Sequence, residues 1–111
     1  MKWEVTSECN HDCIHCYNYW RKDKAKIASM SKNFSADYYL NFAQKIIEQK
    51  PVIVTVTGGE PLVRSDLFEV MDYASNELGF HWGMTTNGIL INDDIIDKMI
   101  ETNMETISIS L

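Results

Sequence analysis

Val52-Ile53-Val54-Thr55-Val56 is a β-branched run between two segments of helical periodicity, and it narrows the possible folds more than any other stretch. β-branched side chains are stiff at χ1 and suit pleated backbone. A strand without polar alternation needs cover on both faces, which is the situation of a parallel strand in an α/β protein. Upstream, Ser35 is placed to cap a helix, with Asp37 in its first turn where the helix dipole favours negative charge. Tyr39, Phe42, Ala43 and Ile46 recur at helical spacing and Pro51 closes the segment, which predicts a helix over 36–49. Downstream, Ser65 is the expected cap of a second helix. Leu67, Val70, Met71, Ala74 and Leu78 form its apolar stripe, and Gly79 stands at the C′ position.

The same alternation extends to both ends. Trp3 to Ser7 reads as a first strand, 18–33 as a polar connector, and Phe80 to Thr85 as a third strand. Asn92 caps a third helix carrying Ile96, Met99 and Ile100, with Asn103 as a left-handed stop. Thr106 to Leu111 reads as a fourth strand, with Ile107, Ile109 and Leu111 inward and Ser108 and Ser110 on the other face. The order is βαβαβαβ in one domain, 1–111. Strands joined by single helices lie parallel, in the order one-two-three-four, with right-handed crossovers. The loops after strands one, two and three then emerge at one carboxyl edge, where α/β folds bind ligands. The chain stops inside the fourth strand, which is expected to lie exposed on at least one face.

Composition excludes several classes. With 45 % apolar residues in 111 the chain has a globular core, and no run is long enough for a membrane span. Met1 to Val5 lacks the apolar stretch of a signal peptide. Net charge is −6; residues 21–32 hold Arg21, Lys22, Lys24, Lys26 and Lys32 against Asp23, a local +4, which leaves −10 elsewhere. An acidic body argues against a nucleic-acid partner.

The loop after the first strand carries the chemistry. Cys9, Cys13 and Cys16 are the only cysteines in the chain, spaced C-x-x-x-C-x-x-C. Such spacing in a chain without an export signal fits a reducing cytoplasm and a metal or iron–sulfur ligand set. A closed iron–sulfur cube takes four cysteines, so three leave one iron open. A zinc site with His11 or His15 as fourth ligand remains the alternative at this point. Gly58-Gly59-Glu60-Pro61 ends the second strand in a turn where glycines allow close backbone approach, and Thr86-Asn87-Gly88 is a turn after the third.

These three motifs, in this order over nearly the whole chain, resemble the radical S-adenosylmethionine (radical SAM) superfamily. The resemblance implies the first four strands of a partial (β/α)6 barrel, a 4Fe–4S cluster on Cys9, Cys13 and Cys16, and S-adenosylmethionine on the open iron. It implies reductive cleavage of that cofactor to a 5′-deoxyadenosyl radical, which takes hydrogen from a substrate, with an external electron donor. It also implies His15 and Tyr17 near the cofactor, Gly58, Gly59 and Glu60 around the methionine ammonium, Asn87 at its ribose or carboxylate, and Ser108 or Ser110 as a further contact. On this reading a side chain at Gly59 crowds the cofactor and leaves the cysteine loop undisturbed. Cys-Asn-x-x-Cys-x-x-Cys-Tyr-Asn with Thr-Asn-Gly is most similar to the branch carrying SPASM-type C-terminal domains, whose members often modify peptides or mature protein cofactors. The rival readings are a non-catalytic iron–sulfur or zinc module and an inactive truncated fragment.

Overall fold

A computed structural model describes residues 1–11, 13, 16, 35–48 and 53–110. Four strands form one sheet: β1 (Lys2–Glu4), β2 (Val54–Thr57), β3 (Trp82–Thr86) and β4 (Thr106–Ile109). Their spatial order is β1-β2-β3-β4 and every neighbouring pair is parallel, as the alternation requires. Three helical segments connect them: α1 (Ala36–Ile47), α2 (Leu67–Asp72, continuing as a π turn over Tyr73–Glu77) and α3 (Asp93–Glu101).

Register explains the core. Trp3 pairs with Val56, Val56 with Met84, and Val54 with Trp82, so these side chains share one face. That face packs with Tyr39, Ala43 and Ile46 of α1, Leu67, Val70 and Met71 of α2, and Met99 of α3. Trp82 is wholly buried and its indole Nε1–H donates to the Thr102 carbonyl at 2.8 Å, which fastens the end of α3 to β3. Met71, Met84 and Met99 fill core space, and Met104 packs against it. The opposite face carries Lys2, Glu4, Thr55, Thr57, Thr85, Thr106 and Ser108, all exposed or half-buried.

Local chemistry sets most boundaries. The Ser35 side chain accepts from the Tyr38 amide and that of Asn92 from the Ile95 amide, both as the sequence predicts. Asn103 takes a left-handed φ of 55°. The expected cap at Ser65 does not form. Pro61–Val63 first makes a 3-10 turn capped by Glu60, and Asp66, without a side-chain cap bond, precedes α2. Pro61, whose ring presets a helical φ, opens that turn directly after Glu60. Strand ends also shift: β1 is Lys2–Glu4 rather than 3–7, β2 runs on to Thr57 and β3 to Thr86, while residues 49–52 lie outside the described residues.

The inward placement of Ile107 and Ile109 is corrected. Both follow the helix-bearing face in register, opposite Met84 and Thr86, yet they are 42 % and 46 % exposed. β4 is an edge strand paired only with β3, so nothing among the described residues covers that flank. Ile96 and Ile100 of α3 are likewise exposed, and Met99 alone of the predicted stripe is buried.

Candidate functional site

The site grows from the carboxyl ends of β1, β2 and β3. Past Glu4, Val5 still donates to the Thr57 carbonyl at 3.0 Å, so the β1–β2 ladder continues into the loop. The Gly-Gly-Glu-Pro turn carries the pairing further: the Gly59 amide donates to the Thr6 carbonyl at 2.9 Å and the Glu60 amide to the Glu8 carbonyl at 2.7 Å. These bonds lock the residue before Cys9 onto the turn.

The glycines are needed for that approach. Gly58 has φ +145°, and a Cβ there would stand 2.3 Å from the Thr6 carbonyl oxygen. At Gly59 a Cβ would meet the Glu8 carbonyl oxygen at 2.1 Å and that of Ser7 at 2.9 Å. The expectation that a side chain at Gly59 leaves the cysteine loop undisturbed is therefore overturned. The atoms it would strike are the backbone leading into Cys9.

Glu60 is the second surprise. Its side chain is turned inward and 1 % exposed. Oε1 accepts from the Leu62 amide at 3.1 Å and from the Thr86 hydroxyl at 2.6 Å, and Oε2 accepts from the Asn87 amide at 2.7 Å. A buried carboxylate is tolerable only when its oxygens are satisfied in this way. Among the described residues the carboxylate acts as a bolt between the turns after β2 and β3. Thr86 Oγ in turn accepts from the Gly88 amide at 3.1 Å.

Asn87 completes the ring. Its Oδ1 accepts from the Ile89 amide at 3.0 Å and its Nδ2 donates to Asn10 Oδ1 at 2.6 Å. A backbone N–H can only donate, so the bond from Ile89 fixes which atom of the Asn87 amide is oxygen. Asn10 is the residue after Cys9. Asn10 and Thr86 were not among the predicted site residues. Thr86 carried a legible signal: it is in phase with buried Trp82 and Met84, and a hydroxyl at a core position needs a partner.

Cys9, Cys13 and Cys16 are free thiols, Cys9 exposed and the other two half-buried. The Cys16 amide donates to the Cys13 carbonyl at 3.2 Å. Partial desolvation of its sulfur pushes the Cys9 thiol above its usual value; a backbone hydrogen bond at His11 opposes this, and the charges of Glu60, Cys13 and Cys16 add to it. Bound metal cations reverse that balance, because coordination deprotonates a thiol outright. Among the described residues no three His, Cys, Asp or Glu side chains converge as a ready metal site. The donor chemistry nevertheless fits a cluster: three free thiols within eight residues of sequence, the first of them beside a braced edge. Coordination would supply the final convergence, as in other metal-coupled loops.

The remaining predicted residues are placed as follows. Ser108 pairs in register with Thr85 on the uncovered face, and the Ser110 amide donates to the Thr86 carbonyl at 2.9 Å. His15 and Tyr17 lie outside the described residues. A cleft of about 450 Å³ adjoins the lead-in to the cysteines, lined in part by Thr6, Ser7, Glu8, Tyr39 and Arg64. Arg64 there is paired with Asp66 at 2.5 Å and donates to the Val5 carbonyl at 2.7 Å, so it is a strap on the lead-in.

The structure is a parallel α/β sheet with the residues flanking Cys9 and two turns tied together at its carboxyl edge. Residues 3–111 match the Radical SAM superfamily, and the chain belongs to it. Over its full length it is 28 % identical to an AdoMet-dependent heme synthase of Methanosarcina barkeri and 30 % identical to a mycofactocin maturase of Mycobacterium ulcerans. It is 30 % identical over 96 % of its length to a probable GTP 3′,8-cyclase of Methanococcus maripaludis. The chain spans 30 %, 28 % and 34 % of the lengths of those three proteins. No helix among the described residues is long and apolar enough to cross a membrane.

Proposed function

We propose that this chain is the N-terminal, cofactor-binding portion of a radical SAM enzyme core. The observation that carries the reading is the joining of the cysteine loop to the Gly-Gly-Glu-Pro and Thr-Asn-Gly turns by the Glu60–Glu8, Glu60–Asn87 and Asn87–Asn10 hydrogen bonds. Cys9, Cys13 and Cys16 would hold a 4Fe–4S cluster, with its fourth iron left for the amino and carboxylate groups of S-adenosylmethionine. When bound, that pair supplies one-electron reductive cleavage of the sulfonium and a carbon radical that takes hydrogen from substrate.

The protein's own share is binding and orientation. The carbonyls of Gly58 and Gly59 are suited to accept from the methionine ammonium, and the Glu60 carboxylate contributes negative charge behind them. Asn87, with one Nδ2 hydrogen beyond its bond to Asn10, lies next to the same edge. Ser108 and Ser110 offer hydroxyls from β4, and His15 and Tyr17 flank the third cysteine in sequence. The electron comes from an external donor. The Cys-Asn-x-x-Cys-x-x-Cys-Tyr-Asn pattern favours a peptide or protein substrate.

The test is anaerobic reconstitution followed by S-adenosylmethionine and dithionite. Methionine and 5′-deoxyadenosine are the expected products, in equal amounts. A reconstituted protein that holds iron and sulfide yet yields neither product, and whose cluster spectrum ignores the cofactor, contradicts the reading.

A further inference from the structure

Cys9 is anchored on both sides by groups that do not belong to its own loop. The residue before it, Glu8, gives its carbonyl to the Glu60 amide at 2.7 Å. The residue after it, Asn10, gives its side-chain oxygen to Asn87 Nδ2 at 2.6 Å, across 77 positions of sequence. The two anchors are themselves joined, because Glu60 Oε2 holds the Asn87 amide at 2.7 Å and the buried Thr86 hydroxyl fixes Glu60 Oε1 at 2.6 Å. The result is a hydrogen-bonded ring from Glu8 through Glu60 and Asn87 to Asn10, closed through the backbone of Cys9.

We infer that Asn87 is a positioning residue for the first cluster cysteine, acting through Asn10. The inference rests on the radical SAM reading and gives the Thr-Asn-Gly turn a task other than touching the cofactor. Asn87 is suited to it by what it has already committed. Its Oδ1 is held by the Ile89 amide, so its Nδ2 is the end that faces Asn10, and Asn10 must answer with oxygen. The side chain of Asn10 is thereby oriented and the Cys9 backbone with it. A partner that orients a metal ligand in this way contributes to metal retention without touching the metal.

The amide chemistry supplies a test with a sign. Asn10→Asp keeps an oxygen facing Asn87 Nδ2 and leaves the bond standing. Asn87→Asp keeps the oxygen for Ile89, and the Asn10 amide restores the contact by turning its NH2 toward the new carboxylate. The double variant Asn10→Asp/Asn87→Asp sets two carboxylates against each other and has no such rescue. Two measurements read this on reconstituted protein without S-adenosylmethionine: the rate of iron release to a chelator, and the electron paramagnetic resonance spectrum of the reduced cluster. Each single variant should release iron at about the parental rate and the double variant about tenfold faster, with a changed spectrum.

Asn87→Ala and Asn10→Ala give the same answer without introduced charge. Each should speed release, and the pair should be no faster than Asn87→Ala alone, since both delete the Asn10–Asn87 bond while Asn87→Ala also frees the Ile89 amide. In the apo protein, Asn87→Ala should also shift the Asn10 side-chain amide resonances. Additive effects in both series, or an unmoved Asn10 amide, overturn the inference while leaving the cluster assignment standing. A variant at Asn87 that weakens S-adenosylmethionine binding with cofactor-free iron release unchanged overturns it in favour of direct cofactor contact. A parent protein that takes up no cluster overturns both.

Discussion

The carboxylate of Glu60 and the hydroxyl of Thr86 meet at 2.6 Å inside the protein, each almost wholly buried. Glu60 follows the glycines of one motif and Thr86 opens the next, so this one bond joins the ends of β2 and β3. It also places Oε2 for the Asn87 amide. Glu60→Gln keeps one acceptor oxygen and turns an NH2 toward a donor, at a cost of about 1–3 kcal/mol. Glu60→Ala strands the Thr86 hydroxyl and the Asn87 and Leu62 amides together and should cost more. Urea unfolding of both variants, with hydrogen exchange at Asn87, checks the order; equal stability of all three proteins would remove Glu60 from the architecture of the edge.

Gly59→Ala is a more damaging change than its size suggests. The added methyl would stand 2.1 Å from the Glu8 carbonyl oxygen, which is backbone and has nowhere to swing. The lead-in to Cys9 must therefore move. Iron retained after reconstitution should fall together with thermal stability. Full iron content with weakened S-adenosylmethionine binding would instead restore the view that this glycine faces only the cofactor.

Much of the fold was legible because burial and period leave few choices. The run ending at Val56 lies between helices as a parallel strand, though only its Val54 and Val56 face is buried, and Asn92 at the head of α3 accepts from Ile95 as its position predicts. The inward isoleucines of β4 misled because period reports which face a side chain takes, while cover depends on a neighbouring element. The site was less legible than the fold. A glutamate at a turn suits a ligand ammonium and protein N–H groups equally well, and only the position of Thr86 shows that the protein itself holds its oxygens. The contact of Asn10 with Asn87 has no local signature at all, since two asparagines far apart in sequence look like two ordinary loop residues.

Tyr39 should govern the alkaline limit of stability. Burial raises its phenol above the ordinary 10.0, while Arg64 opposes that rise. The folded protein therefore holds this proton more tightly than the unfolded chain, and stability falls as pH rises from about 10 toward the folded pKa. Tyr39→Phe loses the 2.8 Å bond from the hydroxyl to the Glu4 carbonyl, about 1 kcal/mol at neutral pH. It should also flatten the decline above pH 10. An unchanged alkaline slope in the variant would assign the decline to other groups.

Trp82 carries the core beneath the site. It is fully buried and fixes Thr102 through its indole N–H. Trp82→Ala should cost about 3–5 kcal/mol. Trp82→Phe should cost less, losing chiefly the hydrogen bond, and thermal melts of the two variants will separate packing from bonding.

The most direct test of the central claim is the metal content and spectrum of the anaerobically reconstituted protein, read before and after S-adenosylmethionine. The account predicts about four irons and four sulfides per chain, all lost on Cys9→Ala, Cys13→Ala or Cys16→Ala, and a reduced-cluster resonance that changes when the cofactor is added. Zinc without iron or sulfide, or a cluster whose resonance is indifferent to S-adenosylmethionine, would contradict it.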